Sequence, residues 1–417
     1  MLTLLILTIL LPFVGAILVL PFKTRQIHPI AVAASALALV TALWAMVQTL
    51  PGSTEHLFGQ MPWMPGMEQT RLFGVALDSL GAIMLMVACA IGLLIVAYST
   101  EYISPRNREH PEEDGSRRYY FWLLLFIGSM AGIALSPNLL QLFIFWELTT
   151  LCSWALISYT QEEKALRAGF KALIMTYIGG LFYLVGLFIL FVSTKSFGFD
   201  ALKIAEPSIR AAVFLLFLIA GWAKAAQIPF YTWLPDAMEA PTPISAYLHA
   251  AAMVKAGVYL VARLVAASWA VSPTMGLVVA IMAMLTMFMA LLLYFLQDDL
   301  KRLLAYSTIA HLGYVLLGLS LGIMGSAVGF QGGVLHIVCH GFAKSTLFLC
   351  VGAIAYATGT RSIRELSGLG RRMPLVALAF FAGVLAVTGV PPFACFWSKF
   401  FILTGTFATV SLAGPIL

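Results

Sequence analysis

The sequence is short of charge. Only 10% of its 417 residues are Asp, Glu, Lys or Arg, against 61% hydrophobic. A soluble domain carries about 25% charged residues, so a soluble fold is excluded. Strand-like alternation of apolar and polar residues is absent, which argues against an outer-membrane barrel. The five cysteines, Cys89, Cys152, Cys339, Cys350 and Cys395, lie scattered within apolar runs and form no CxxC pair. That argues against an iron–sulfur site or a disulfide framework. No nucleotide loop, haem ligand pair, nucleophile elbow or metal cluster is found, so no cofactor, metal or catalytic residue is expected. The net charge of +6 reads as loop cations and not as a nucleic-acid surface, because no basic patch is interleaved with aromatics. The first basic residue, Lys23, follows the first apolar run. A cleavable leader carries its charge earlier, so the first helix reads as retained.

Apolar runs recur from end to end, which predicts an all-α polytopic membrane protein. The spans fall at about 2–22, 29–50, 77–102, 119–136, 138–159, 165–193, 209–227 with a broken continuation to 240, 243–269, 274–296, 301–323, 326–357 and 374–404. The tail 405–417 reads as the start of another span. The Pro- and Gly-rich loop 51–74 is a candidate hairpin. One set of loops collects Lys23, Arg25, Arg106, Arg108, Arg117, Arg118, Lys164, Arg167, Lys171, Lys301, Arg302, Arg361, Arg364, Arg371 and Arg372. Cytoplasmic loops carry such an excess, which places the chain in the inner (cytoplasmic) membrane with its N-terminus outside.

Residues 221–257 do not fit a plain span. They hold Lys224, Asp236, Glu239, His249 and Lys255 among Pro229, Pro235, Pro241 and Pro243. Proline removes a donor and clashes with the preceding turn, so this helix breaks. A broken, charged helix at membrane depth survives where it lines a polar path. A second break is expected at Gly389–Phe393, with Lys399 following it as Lys224 precedes the first. The fold expected is one membrane domain over 1–417. It comprises spans 1–3 (1–118), a first repeat (119–269) and an inverted second repeat (274–417) that is incomplete at its C-terminal end, with spans 7 and 12 broken.

The ionisable groups within the spans are candidates for proton translocation. Glu147, at mid-span in LLQLFIFWELTTLCSW, is either a helix-packing partner or paired with Lys224 across a polar cavity. Lys224 has no acid within one turn; it either takes a partner from another span or snorkels to the interface. Lys255 is likewise without a local acid, and His249, six residues earlier, lies on a different face of a regular helix. His336, His340 and Lys344 run i, i+4, i+8 on one stripe, where imidazoles accept and donate protons near neutral pH. A metal reading of His336, Cys339 and His340 is opposed by the lysine one turn on. His311, with Tyr314 three residues later, either joins the stripe or bonds in the core. Lys399 either ends a path or anchors the interface beside Trp397. Asp236 and Glu239 read as capping or structural residues. A row of ionisable groups through the mid-membrane is what a proton relay needs.

The chain resembles the antiporter-like subunits shared by respiratory complex I (its L, M and N subunits), Mrp-type cation/proton antiporters and energy-converting hydrogenases. The motifs carrying the resemblance are FWELTTLCSW, KAAQIPFYTWLPDAMEAPTPISAYLHAAAMVKAG, HGFAKSTLF and GVPPFACFWSKF. Within the family, NREHP at 107–111, RYYFWLLLFIGSMAG and CSWALISY are most similar to the D subunit of hydrogenase-4-type complexes. The resemblance implies an acid in span 5 at Glu147 and a lysine before the span 7 break at Lys224. It further implies Lys255 in span 8, His340 and Lys344 in span 11 with His336 one turn earlier, and Lys399 in span 12. It also implies partners: other antiporter-like membrane subunits, and hydrophilic redox subunits with hydrogenase and iron–sulfur centres. Protons, or alternatively Na+, would be the cargo. The long lateral helix of the L subunit is not expected from these residues.

Overall fold

The computed structural model describes residues 2–49, 56–62, 71–111, 116–267 and 271–412. Its first helices are α1 (Leu2–Leu18), α2 (Thr24–Thr49), α3 (Ser79–Tyr102), α4 (Ser116–Leu135), α5 (Leu139–Ile157) and α6 (Glu163–Thr194). A one-turn α7 (Ala201–Ile204) precedes α8 (Pro207–Lys224), and a second short helix, α9 (Trp233–Asp236), precedes α10 (Thr242–Ala250) and α11 (Met253–Ala267). Then come α12 (Pro273–Tyr294), α13 (Leu300–Ile323), α14 (Ala327–Thr358), α15 (Leu369–Arg372), α16 (Pro374–Thr388) and α17 (Ala394–Leu412). Counting α10 and α11 as one, ten helices among the described residues are long and apolar enough to cross a membrane. The termini are set by side chains read easily in the sequence. Asp78 accepts from Gly81 N–H, Asn138 from Gln141 N–H, and Ser326 from Gly329 N–H, each satisfying an orphan donor of the first turn.

The expected hairpin is present: β1 (His56–Pro62) pairs antiparallel with β2 (Arg71–Leu77). The turn between them and the tail 413–417 lie outside the described residues. Gln141 holds β2 to α5, its side chain bonding both the N–H (3.0 Å) and the C=O (2.9 Å) of Gly74. A buried pair missed in the sequence lies nearby. Arg263, at the end of α11, bonds Asp78 and donates to the Tyr259 hydroxyl at 2.8 Å.

Among the described residues three spans are broken, one more than expected. After α8 the chain passes through Ala226 at φ +51°, a costly conformation for a residue with a Cβ. The freed backbone finds partners: Gln227 N–H reaches Trp222 O at 3.0 Å, and Trp233 Nε1 reaches Ala223 O at 3.0 Å. In lipid these bonds are obligatory. The second expected break separates α16 from α17, where Gly389 takes φ +84°. The additional break lies at Ala251–Ala252, between α10 and α11, where neither Pro nor Gly marks it.

Helices α10, α11, α13 and α14 fill the middle of the bundle, while α2, α6 and α12 expose apolar side chains outward. Where α8 crosses α11, backbones touch: a Cβ on Gly257 would lie 2.5 Å from Gly221 O. This crossing sets Lys224 and Lys255 at the centre. At one end of the bundle four loops are fastened together. Arg361 contacts Glu109 (3.2 Å) and Asp299 (3.3 Å) and donates to Met238 O at 3.0 Å. Lys301, read above as a loop cation, is fully buried there and donates to Ala240 O at 2.5 Å. Burial pushes the Glu109 carboxyl up, but the charges of Lys301, Arg361 and His110 and the Tyr102 bond outweigh it, leaving it below the usual carboxylate value. Burial lowers His110, with Glu109 pulling the other way.

Candidate functional site

Lys224 is the last residue of α8, so the break delivers its ammonium to α5. It donates to Trp146 O at 2.6 Å and Thr150 Oγ1 at 3.1 Å, and it lies 4.2 Å from the centre of the Trp146 ring. The ion pair expected with Glu147 is not formed. Lys224 instead engages the residues on either side of Glu147, because a carbonyl exposed on α5 and a flanking hydroxyl are the nearest acceptors. It does not snorkel: its side chain is fully buried. Glu147 Oε1 is buried without a donor and occupies space left by Gly180 of α6, where a Cβ would come within 2.2 Å of it.

Past Lys224 the break continues into α9, where Asp236 bonds Lys171 of α6 at 2.7 Å and approaches Arg302 of α13 at 4.0 Å. Asp236 is thus a tie between three elements. His249 sits on α10 with both ring nitrogens buried and unpartnered, its ring 5.0 Å from that of Phe348. No hydrogen bond joins it to Lys255.

The remaining candidates converge. Lys255 Nζ of α11 lies 2.9 Å from His340 Nδ1 of α14. His311 Nδ1 of α13 lies 2.9 Å from His336 Nε2, and His336 Nδ1 lies 2.8 Å from Ser398 Oγ of α17. The His311 and His340 rings are 5.1 Å apart, centre to centre. His311 therefore joins the stripe. Lys255, His336, His340 and Ser398 are all fully buried. Lys344, on the same stripe, turns instead to Leu304 O of α13 at 3.1 Å. Lys399 donates to Val387 O (3.1 Å) and Thr388 O (3.0 Å), the last carbonyls of α16, and lies 5.1 Å from the centre of the Tyr314 ring. That ring is 5.9 Å from His336.

The bonds assign a proton order. Ser398 donates to Cys395 O at 3.1 Å, so its oxygen accepts from His336 Nδ1–H. His336 Nε2 then accepts from His311 Nδ1–H, since a neutral imidazole carries one proton. Lys255 donates to His340 Nδ1, which puts the ring proton of His340 on Nε2, an atom with no partner. Two hydrogen-bonded segments thus face each other across the His340–His311 gap. Hand-off between groups at 2.8–2.9 Å is within proton-transfer reach. Trp146, Thr150 and Ser398 were not singled out from the sequence. Thr150 stands one turn after Trp146 and Ser398 beside Lys399, but nothing local marks either.

A family model described as NADH:quinone oxidoreductase/Mrp antiporter, TM matches residues 136–416, and one described as NADH-ubiquinone oxidoreductase (complex I), chain 5 N-terminus matches 63–120. The chain is 35% identical over 434 aligned residues to NAD(P)H-quinone oxidoreductase subunit 5, organellar chromatophore 1, of Paulinella chromatophora, covering 96% of this chain and 63% of that one. It is 38% identical over 375 residues to Na(+)/H(+) antiporter subunit A1 of Staphylococcus aureus, covering 86% of this chain but 45% of the relative. It thus spans less than two thirds of either relative. Among solved structures, a chain of the Mrp complex from Dietzia sp. DQ12-45-1b superposes with a TM-score of 0.86 at 30% identity, over 98% of this chain and 45% of that one. A chain of the membrane-bound sulfane sulfur reductase, an archaeal respiratory membrane complex, gives 0.85 at 27% identity, over 98% and 85%.

Proposed function

Because the chain belongs to the NADH:quinone oxidoreductase/Mrp antiporter transmembrane family, we propose that it is a proton-translocating subunit of a redox-driven membrane complex of the hydrogenase-4 or formate hydrogenlyase kind. The observation that carries the relay is the buried pair of segments, Lys255–His340 and His311–His336–Ser398. Burying so many ionisable groups is costly, and ionisable groups held within membrane spans mark ion and proton paths. The energy comes from partner subunits, in which redox work displaces Lys224 relative to Glu147. A proton leaves Lys224 for Lys255 when the cation loses its acceptors on α5. It passes along the histidines, and the rise in positive charge drives release near Lys399. Glu147, Lys224, Lys255, His340, His311, His336, Ser398 and Lys399 carry the path, while His249 and Lys344 set the field around it.

The partners in this reading are further antiporter-like membrane subunits and hydrophilic hydrogenase and iron–sulfur subunits. The cation-rich loops face the cytoplasm. The test is Lys224→Ala in the assembled complex in vesicles. Coupled proton movement should be lost while redox turnover by the partners remains detectable. Undiminished pumping with normal assembly would overturn the reading.

A second reading, a Na+/H+ antiporter subunit without redox partners, is favoured by the likeness to the Staphylococcus aureus antiporter subunit. Sodium-dependent pH changes in vesicles holding only antiporter-type subunits would decide for it. Copurification with NADH- and quinone-binding subunits would place the chain in a complex I instead.

A further inference from the structure

One stripe of α6 takes no part in the relay. Lys164, Arg167, Lys171, Ile174, Ile178, Leu181 and Val185 follow one another at spacings of three and four residues, so they line a single face of the helix. The three cations open this stripe at the helix's first turns. The four apolar residues below are all exposed at the surface of the bundle. From Ile174 to Val185 the stripe runs about 16 Å at 1.5 Å per residue, close to the roughly 15 Å depth of one leaflet's hydrocarbon.

The cationic end is a cleft of about 260 Å³ lined by Lys164, Arg167, Lys171, Asp236, Glu239 and Arg302. Four cations face two carboxylates. Asp236 is shared by Lys171 and Arg302, Arg167 pairs only with the exposed Glu163, and Lys164 makes no ion pair. Arg302 Nε is buried and has no acceptor. A planar guanidinium with a free donor beside lysines is the arrangement that takes a phosphate, because the four cations of the cleft exceed its two carboxylates.

We propose that this cleft binds the phosphate of an anionic phospholipid, whose acyl chain lies along Ile174, Ile178, Leu181 and Val185. Charge at the helix end with apolar surface one leaflet deep matches a phospholipid and not a free anion, which has no use for the lower half of the stripe. The phosphate competes with Asp236 for Lys171 and Arg302. Asp236 lies in α9, beyond the break that carries Lys224, so the lipid loosens the tie between α9, α6 and α13. This assignment stands whether or not the chain moves protons.

The test is native mass spectrometry of the full 417-residue chain in detergent, with phosphatidylglycerol or phosphatidylcholine of the same acyl chains. Phosphatidylglycerol should be retained more tightly. Lys164→Ala should weaken it about fivefold and Lys164→Ala/Arg302→Ala about thirtyfold, at the usual contribution of one interfacial cation. Asp236→Asn, which removes the competing carboxylate, should tighten it. Arg371→Ala/Arg372→Ala, outside the cleft, should leave it unchanged. Lys164 makes no ion pair among the described residues, so its loss tests the site with little effect on the fold. Equal retention of the two lipids, or an effect of Arg371→Ala/Arg372→Ala equal to that of Lys164→Ala/Arg302→Ala, would overturn the proposal. So would displacement of the lipid by inorganic phosphate at equal concentration, or a delipidated chain that runs at twice its mass.

Discussion

Replacing Ser398 with alanine should stall the relay at its last hydrogen bond. Ser398 Oγ accepts from His336 Nδ1–H at 2.8 Å and donates its own O–H to Cys395 O at 3.1 Å. With the hydroxyl gone, a fully buried imidazole N–H loses its acceptor. Leaving such a donor unpaired costs about 1–3 kcal/mol. His336 relieves that cost by moving its proton to Nε2. Nε2 then stops accepting from His311, and the order of donors along the row reverses. If the bond is made during transfer, the same energy raises the barrier and slows proton movement roughly 5- to 150-fold. The assay is dye-reported proton uptake into vesicles holding the chain with its partner subunits, normalised to redox turnover. Thermal stability should fall modestly and assembly should persist. Proton uptake within twofold of the parent, at parent-level assembly, would refute the proton order assigned here.

Gly180→Ala should push the Glu147 carboxyl from its seat, since the new Cβ would approach Oε1 within 2.2 Å. Overpacking of this kind costs about 1–3 kcal/mol, and the double variant with Glu147→Ala should recover stability, which a thermal-shift cycle reads as non-additivity. Glu109→Gln should destabilise the chain by about 1–3 kcal/mol at neutral pH, because it removes the charge opposite Arg361 and one of the two oxygens that accept from Arg361 and Tyr102. Because the folded carboxyl is held below its ordinary 4.5, that stability is present above pH 4.5 and disappears as pH falls through the lowered value. The gap in Tm between parent and variant should therefore close in acid; a gap that widens there would contradict the assignment.

The spans were legible because apolar runs of membrane length admit few other readings, and the breaks at Pro229 and Pro391–Pro392 because proline forbids a regular helix. The break at Ala251–Ala252 was not legible. Alanine favours helix, and although α10 packs against α3 and α14, nothing in the local sequence marks where it ends. The i, i+4 spacing of His336 and His340 was sufficient to put both on one face, yet it could not show that His311 and Ser398, 25 and 62 residues away from His336, complete the row. Lys344 shares the spacing and still turns aside to a carbonyl. Side-chain direction depends on neighbours that helical periodicity does not encode. Glu147 and Lys224 illustrate the same limit: opposite charges on spans 5 and 7 suggested a pair across a polar cavity, but the ammonium reaches α5 beside the acid, on Trp146 and Thr150. Lys301 looked like an ordinary loop cation and is a buried clamp on the linker before α10. Arg263 and Asp78 are separated by 185 residues, and no local pattern joins them.

A buried row that moves protons and is not merely packed must fail when one of its proton-bearing groups is removed. Lys255 tests it most directly, because its amine is the group that joins α11 to the histidines, 2.9 Å from His340. Lys255→Met keeps the length and the apolar stem and removes only the proton-bearing end. In vesicles with the assembled complex, proton movement should fall to background while redox turnover and assembly remain. Pumping at the parent stoichiometry in that variant would contradict the account.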